Sequence, residues 1–281
     1  MSRSFRYVIA DVFTDTPLAG NQLAVFTDAR DLDERTMQAL ALEIGFSESV
    51  FVLSPESGGH ARIRIFTPTF ELPFAGHPTL GTAFVLGAPL QLGVITLETG
   101  RGHVPVALER DESGRIVFGR MQQPVPTVEP YPDPEPLFLA LGVEGSELPV
   151  ELYDNGATHL FVALGSEDEV AGLKPDVAAV VALGATGVSC FAGSGELWQT
   201  RMFWARGEDA ATGSAAGPLA CHLARHGRIA WGDEITISQG AEIGRPSTLY
   251  ARAEGGDGLI DRVEVGGQAV TVARGEFRLP A

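Results

Sequence analysis

Apolar and polar residues alternate in short runs along most of the chain, and glycine or proline breaks the runs apart. In the first half "RYVIADVF", "NQLAVF", "SESVFVLS" and "ARIRIFTP" have the period of strands. Between them "DLDERTMQALALEIG" changes period. Met37, Leu40, Ala41 and Ile44 fall on one helical face, Asp31 or Asp33 can cap its start, and Gly45 suits its end. A second helix is predicted from Pro78 to about Leu86, with the proline at a first-turn position. "GVITLETG", "HVPVALER" and "RIVFGRMQ" follow as strands. The proline-rich "QQPVPTVEPYPDPEP" has few apolar anchors and reads as a linker. Beyond it come helical "DPEPLFLALG", strand "THLFVAL", helical "DVAAVVALG", strands "GVSCFAG" and "WQTRMFW", helical "SAAGPLACHLARHG" and a strand-rich tail.

The two halves repeat one phrase. "FTPTFELPFAGHPTLGTA" from Phe66 matches "FWARGEDAATGSAAGPLA" from Phe203 at an offset of 137 residues (203 less 66). Phe66 falls on Phe203, Glu71 on Glu208, Gly76 on Gly213 and Ala83 on Ala220, four identities in eighteen positions where average composition gives roughly one. Leu23 and Val25 fall on Leu160 and Val162 at the same offset. Duplication therefore predicts two similar domains, 1–123 and 124–281, with the last strand, about 268–281, able to pack on the first. It also predicts a cleft between them where two helix N-termini face each other.

Composition narrows the function. The 281 residues are 44% hydrophobic and 20% charged, with a formal charge of −16. That is a folded, acidic chain, poorly suited to nucleic acid or anionic membrane. No apolar run approaches the ~20 residues of a membrane span, and no leader pattern precedes the first strand, so the expected compartment is the cytoplasm. The two cysteines, Cys190 and Cys221, do not form a disulfide framework. Lys174, the sole lysine, precedes Pro175 in "GLKPD", which excludes a P-loop and makes a poor pyridoxal-phosphate site.

The repeat changes chemistry at one place, where His77 falls on Ser214. Both sit where a helix begins. There unpaired N–H groups and the dipole favour an anion by ~0.3–1 kcal/mol, or ~2 when partly buried. The two residues are either N-caps or halves of a site that binds a carboxylate or an enolate-like charge. Glu48, flanked by Phe46, Val50 and Phe51, is expected to have a pKa raised towards neutrality, as a proton shuttle needs. Asp209 either supports the second helix start or supplies a second acid–base group. His222 and His226 lie one helical turn apart but lack the glutamate of H-E-x-x-H, and no metal site is expected.

"DVFTDTPLAGNQLAVF", "GFSESVFV", "FTPTFELPFAGHPTLGTA" and "GEDAATGSAAGPLA", in this order, resemble the PhzF-like isomerases of phenazine biosynthesis, on the diaminopimelate-epimerase-like fold. The resemblance covers essentially the whole chain. It implies an α+β fold of two pseudosymmetric domains, each a mostly antiparallel sheet curled around a central helix, with the active site in the cleft between them. It implies Glu48 as the acid–base group, His77 and Asp209 as further catalytic residues, and Gly76, His77, Gly213 and Ser214 as substrate-binding residues. The implied reaction needs no cofactor or metal. It moves a carbon-bound proton within a small cyclic carboxylate such as trans-2,3-dihydro-3-hydroxyanthranilate, in a homodimer. Two-thiol epimerisation, used elsewhere on this fold, is disfavoured because neither helix start carries a cysteine. The alternative is a small-carboxylate binding protein that has kept the fold without turnover.

Overall fold

The computed structural model describes residues 2–280, which fold as two compact units. The first runs to Gln122 and resumes at Gly266; the second spans Gln123–Val265. The first unit contains β1 (Ser2–Val12), β2 (Asn21–Phe26), α1 (Glu34–Ile44), β3 (Glu48–Leu53), β4 (Ala61–Phe66), β5 (Glu71–Leu72), α2 (Gly76–Leu90), β6 (Val94–Thr99), β7 (Gly102–Arg110) and β8 (Ile116–Gln123). The second contains β9 (Thr127–Pro130), α3 (Glu135–Leu141), β10 (Glu151–Asp154), β11 (Thr158–Ala163), α4 (Glu167–Gly172), α5 (Val177–Ala182) and β12 (Gly187–Ser194). It continues with β13 (Leu197–Trp204), β14 (Gly207–Asp209), α6 (Gly213–Arg225), β15 (Glu234–Gln239), β16 (Ser247–Gly256) and β17 (Leu259–Gly267). The final strand, β18 (Ala269–Pro280), pairs antiparallel along β1 in the first unit, with one register shift between Ile9 and Ala10. No helix among the described residues is long and apolar enough to cross a membrane.

The units share one topology. In the first, β2 and β3 are parallel, β3–β4 and β4–β5 antiparallel, β4 and β6 parallel, and β6–β7 antiparallel. The second repeats this order with β11–β12, β12–β13, β13–β14, β13–β15 and β15–β16. β2 and β11 coincide end to end at the offset of 137. So do the hairpin pairs Phe66 opposite Glu71 and Phe203 opposite Glu208. A side-chain motif repeats with them. Arg64 forks onto Glu71 and lies 5.0 Å from the Phe66 ring, while Arg201 forks onto Glu208 and lies 5.1 Å from the Phe203 ring.

In each unit the hairpin leads into the principal helix, α2 or α6. Both are rich in small and apolar residues and are buried along most of their length. Residues Gly76–Phe84 of α2 are all buried, as are Gly213–Ala224 of α6. Each unit is thus a mostly antiparallel sheet around a central helix. Gly81 lets α2 approach the sheet, since a Cβ there would sit 2.6 Å from both Leu23 Cδ2 and Val12 Cγ2. On the far side of the sheet α1 covers Ala24, Phe26, Phe51 and Phe66, and α3 to α5 cover Leu160, Val162, Val188 and Phe203.

Some local expectations need correction. The proline-rich 122–136 stretch is not a bare linker. Thr127–Pro130 pairs with β10, Leu152 opposite Glu129, and α3 starts at Glu135 within the same stretch. Proline is tolerated at the end of such a strand, where no ladder donor is required. Helix α2 begins two residues before Pro78 and runs past Leu86, with Pro89 in its last turn and Gln91 closing it in the left-handed region. Helix α4 was hidden in an acidic stretch and is capped by Ser166, whose hydroxyl accepts from the Glu169 N–H.

Candidate active site

The starts of the two principal helices differ from those of α1, α4 and α5, and share with α3, which begins after Pro134, the lack of a side-chain cap. Asp33, Ser166 and Asp176 cap α1, α4 and α5 with side-chain hydrogen bonds. Ala75 and Thr212, the N-cap residues of α2 and α6, make none. His77 and Ser214 are each the second helical residue. They are therefore not caps, and the first N–H groups of both helices are left to other acceptors.

In the first unit, Glu48 opens β3 beside Leu23 of β2. It is 9% exposed and His77 is 3% exposed. His77 Nε2 lies 3.6 Å from Glu48 Oε2, and its Nδ1 lies 3.3 Å from the side-chain nitrogen of Asn21. Ser47 donates to Asn21 Oδ1 at 3.3 Å, which orients the amide with its nitrogen towards the imidazole. Burial pushes the His77 pKa down to about 3, against a smaller opposing effect from a backbone hydrogen bond at Gln22. The ring is neutral near pH 7. Its approach to Glu48 is a contact between a carboxyl group and a neutral imidazole, not an ion pair.

In the second unit, Asp209 ends β14 and is buried. The hydroxyl of Thr212, which would ordinarily cap the helix, donates instead to Asp209 Oδ2 at 2.7 Å. The Gln239 amide locks this turn. Its nitrogen donates to the Asp209 carbonyl and to Thr212 Oγ1, both at 2.9 Å, and its oxygen accepts the Thr212 N–H. Pro218 has no N–H to give the Ser214 carbonyl four residues back; Asn155 supplies a donor there at 2.9 Å. Gln123 likewise donates to the Gly213 carbonyl at 2.7 Å. Gly217 makes room for it, since a Cβ there would meet the Gln123 side chain and sit 2.5 Å from Val263. Ser214 Oγ is 3.0 Å from Nε2 of His159, a residue 1% exposed on β11. Burial pushes the His159 pKa down to about 4.

The residues expected from sequence thus gather as two sets: Glu48, Gly76 and His77 in the first unit, and Asp209, Gly213 and Ser214 in the second. Sequence reasoning missed Asn21, Gln123, Asn155, His159, Thr212 and Gln239. His159 stands at the head of the strand that repeats β2, but at the offset of 137 it falls on Gln22, so the repeat does not mark it.

A third cluster of titratable groups is built on β10 and α6 of the second unit. Glu151 Oε2 accepts from Tyr153 at 2.9 Å and lies 3.0 Å from His226 Nε2 and 3.3 Å from His222 Nδ1. Arg225 reaches Oε1 at 3.2 Å. Although burial opposes it, hydrogen bonds from His222, His226 and Tyr153 hold the Glu151 carboxyl well below the usual range. Cys190 and Cys221 are buried on β12 and α6, and burial pushes both thiols up to about 12.

Comparison with known proteins agrees with this architecture. Residues 10–275 match the family model described as phenazine biosynthesis-like protein. The chain is 52% identical to a trans-2,3-dihydro-3-hydroxyanthranilate isomerase of Pseudomonas aeruginosa, over 98% of this chain and 99% of that protein. A PhzF-family protein of Bacillus anthracis, 25% identical, superposes with a TM-score of 0.84 over 99% of this chain and 100% of that one. At 12% identity, a hydroxyproline epimerase of Agrobacterium vitis shares the fold alone, with a TM-score of 0.69 over 99% of this chain and 93% of that one. A match across nearly the whole chain, on a fold that carries two buried carboxyl groups at two uncapped helix starts, makes the chain a member of the phenazine biosynthesis-like family and one of its PhzF-type isomerases.

Proposed function

We propose that the chain isomerises trans-2,3-dihydro-3-hydroxyanthranilate, the substrate named for the Pseudomonas relative, by moving one carbon-bound proton without a cofactor. The observation that carries this reading is the buried Glu48 carboxyl 3.6 Å from a neutral His77. An imidazolium there would stabilise the carboxylate and weaken it as a base; a neutral ring does not. Glu48 takes a proton from one ring carbon, holds it as the carboxylic acid, and returns it to another. The resulting enol tautomerises to a ketone. Gly76 and His77 at one helix start, and Gly213 and Ser214 at the other, hold the substrate carboxylate and the charge that develops. Asp209, fixed by Thr212, serves as the second acid–base group.

The reading has no step for a metal or pyridoxal phosphate. The Glu151 cluster is a poor metal site on its own chemistry. His222 Nε2 has no hydrogen-bond partner among the described residues, whereas a metal-bound imidazole ordinarily donates its other N–H. The Arg225 guanidinium beside Glu151 would also oppose a cation. A homodimer in the cytoplasm completes the reading; light scattering and cell fractionation test those two points. The test of the chemistry is turnover of trans-2,3-dihydro-3-hydroxyanthranilate in D₂O. Deuterium should appear at the newly protonated carbon, in part if the same proton returns before exchange. Tight binding with no turnover would replace the isomerase with a carboxylate-binding protein.

A further inference from the structure

Ser214 Oγ has a single hydrogen-bond partner among the described residues, Nε2 of His159 at 3.0 Å. That pair can be made in two ways. Either the serine donates to a bare Nε2, as in a nucleophilic dyad, or the imidazole donates to the serine and the serine proton is left for something else.

The other end of the ring decides between them. His159 Nδ1 is buried and has no hydrogen-bond partner among the described residues. His159 pairs with Gly187 across the parallel β11–β12 ladder, and a Cβ on Gly187 would lie 3.4 Å from Nδ1 and 2.7 Å from Met202 Sδ. Nδ1 therefore lies beside a glycine, and the Asp154 carboxylate, which favours a proton on the ring through space, makes no hydrogen bond to it. A neutral imidazole carries one proton. On Nδ1 it would be an orphaned buried donor, which folded proteins rarely leave. On Nε2 it makes a 3.0 Å hydrogen bond.

Resting on Ser214 as a substrate ligand, we propose that His159 is a positioning residue. As the Nε2–H tautomer it donates to Ser214 Oγ, so that the serine O–H is committed outward as a donor to the substrate carboxylate. Low proton affinity of the ring keeps the arrangement constant: burial holds the His159 pKa down at about 4, and protonation at lower pH would add the proton at Nδ1, leaving the donor to Ser214 in place. His159 itself touches no reacting atom in this account. It fixes which way a hydroxyl points.

The first test needs no substrate. Nitrogen-15 spectra of the imidazoles in the intact protein, with His159→Gln used for assignment, should place the proton on Nε2; a proton on Nδ1 overturns the proposal. The second test uses kinetics. Glutamine puts an N–H close to where Nε2 stands, so His159→Gln should keep KM within about threefold. His159→Leu, which supplies no donor, should raise KM by roughly 10–100-fold with kcat changed less than about threefold. Ser214→Ala should match it, and adding His159→Leu to Ser214→Ala should raise KM no further. A His159→Gln variant as impaired as His159→Leu overturns the donor role. Unchanged KM in Ser214→Ala overturns the proposal together with the serine's substrate role, whereas loss confined to Ser214→Ala overturns only the part assigned to His159. If the wild type does not turn over trans-2,3-dihydro-3-hydroxyanthranilate, the functional reading fails while the spectra still decide the tautomer.

Discussion

In the first unit the principal helix carries a histidine and the neighbouring strand offers an amide; in the second the helix carries a serine and the strand offers the histidine. The imidazole has moved from the helix to the strand, and not to the place of Asn21, since at the offset of 137 Asn21 falls on Thr158 and His159 on Gln22. The carboxyl groups have moved as well. Glu48 stands on β3, and the ladders align its place with Gly187–Val188 of β12. Asp209 ends β14, where the repeat has Leu72. A duplicated fold thus holds the helix start constant, uncapped and buried, and places one carboxyl beside it in each copy from a different element. Backbone geometry survived duplication; the titratable groups were redistributed over it.

Removing one carboxyl at a time should test the asymmetry most sharply. Glu48→Gln keeps the shape and removes the base, so kcat should fall by ~10²–10⁴-fold, with substrate affinity within about tenfold. Asp209→Asn should cost less, because the amide still accepts the Thr212 hydrogen bond and Glu48 remains. Equal losses in the two variants would mean that the two carboxyl groups carry the proton transfer to the same degree. A larger loss in Asp209→Asn would transfer the shuttle to the second unit.

The repeated arginine separates the copies by stability. Arg201 and Glu208 are each 9% exposed, and Arg201 also donates to the carbonyls of Val170, Ala171 and Leu173. Arg64 is 23% exposed and its partners Glu71 and Glu34 are 35% and 72% exposed. Arg201→Met strands a buried carboxylate and should cost ~3–5 kcal/mol, whereas Arg64→Met should cost about 1 kcal/mol or less. Denaturant midpoints at constant slope measure both. Similar costs would show that the two pairs are energetically alike despite their different burial.

Acid should act on both imidazoles, with the same sign and over different ranges. Each pKa is lowered in the folded state, so between the folded and unfolded values the unfolded chain binds a proton that the folded chain refuses. Stability is complete above about pH 6.5 and falls on acidification, through the window down to about 4 for His159 and about 3 for His77. Each contributes up to ~1.4 kcal/mol per pH unit. His77→Gln and His159→Gln should each flatten the acid limb of a stability–pH profile, His77→Gln over the wider range. An unchanged limb would mean that the ring titrates normally in the fold.

What the sequence conveyed follows from where each contact is made. Helix α1 was legible because its cap, apolar stripe and closing glycine are local: Asp33 accepts from the Thr36 N–H and Gly45 is left-handed. The repeat exposed both principal helix starts because their glycines must recur for the same backbone. It also carries Arg64–Ile65–Phe66 over Arg201–Met202–Phe203, although an arginine on a strand ordinarily reads as exposed and so marks no buried pair. Asn21 and His159 were illegible for another reason. Their partners are 56 and 55 residues away, and nothing local marks a polar residue at the head of a strand as buried. Prolines hid β9 because they signal a loop unless the strand they pair with is known.

The smallest effect concerns the thiols, which sit one in the sheet and one in the helix of the second unit only. Cys190 on β12 and Cys221 on α6 are fully buried, and burial holds each near a pKa of about 12. A thiol so placed is almost entirely protonated near pH 7 and out of reach of a soluble alkylating reagent. Treatment of the native protein with iodoacetamide should leave both unmodified, as intact mass would show, and the rate unchanged within error. Cys190→Ala and Cys221→Ala each remove one buried sulfur, a smaller deletion than the ~2–5 kcal/mol loss of a buried leucine side chain, so the melting temperature should drop by a few degrees. Turnover below the melting range should stay within about twofold. A folded cysteine-to-alanine variant with no turnover would end the carboxylate mechanism and bring back the two-thiol chemistry of the wider fold. Turnover unchanged in both variants would leave the proton transfer to the carboxyl groups, Glu48 before Asp209.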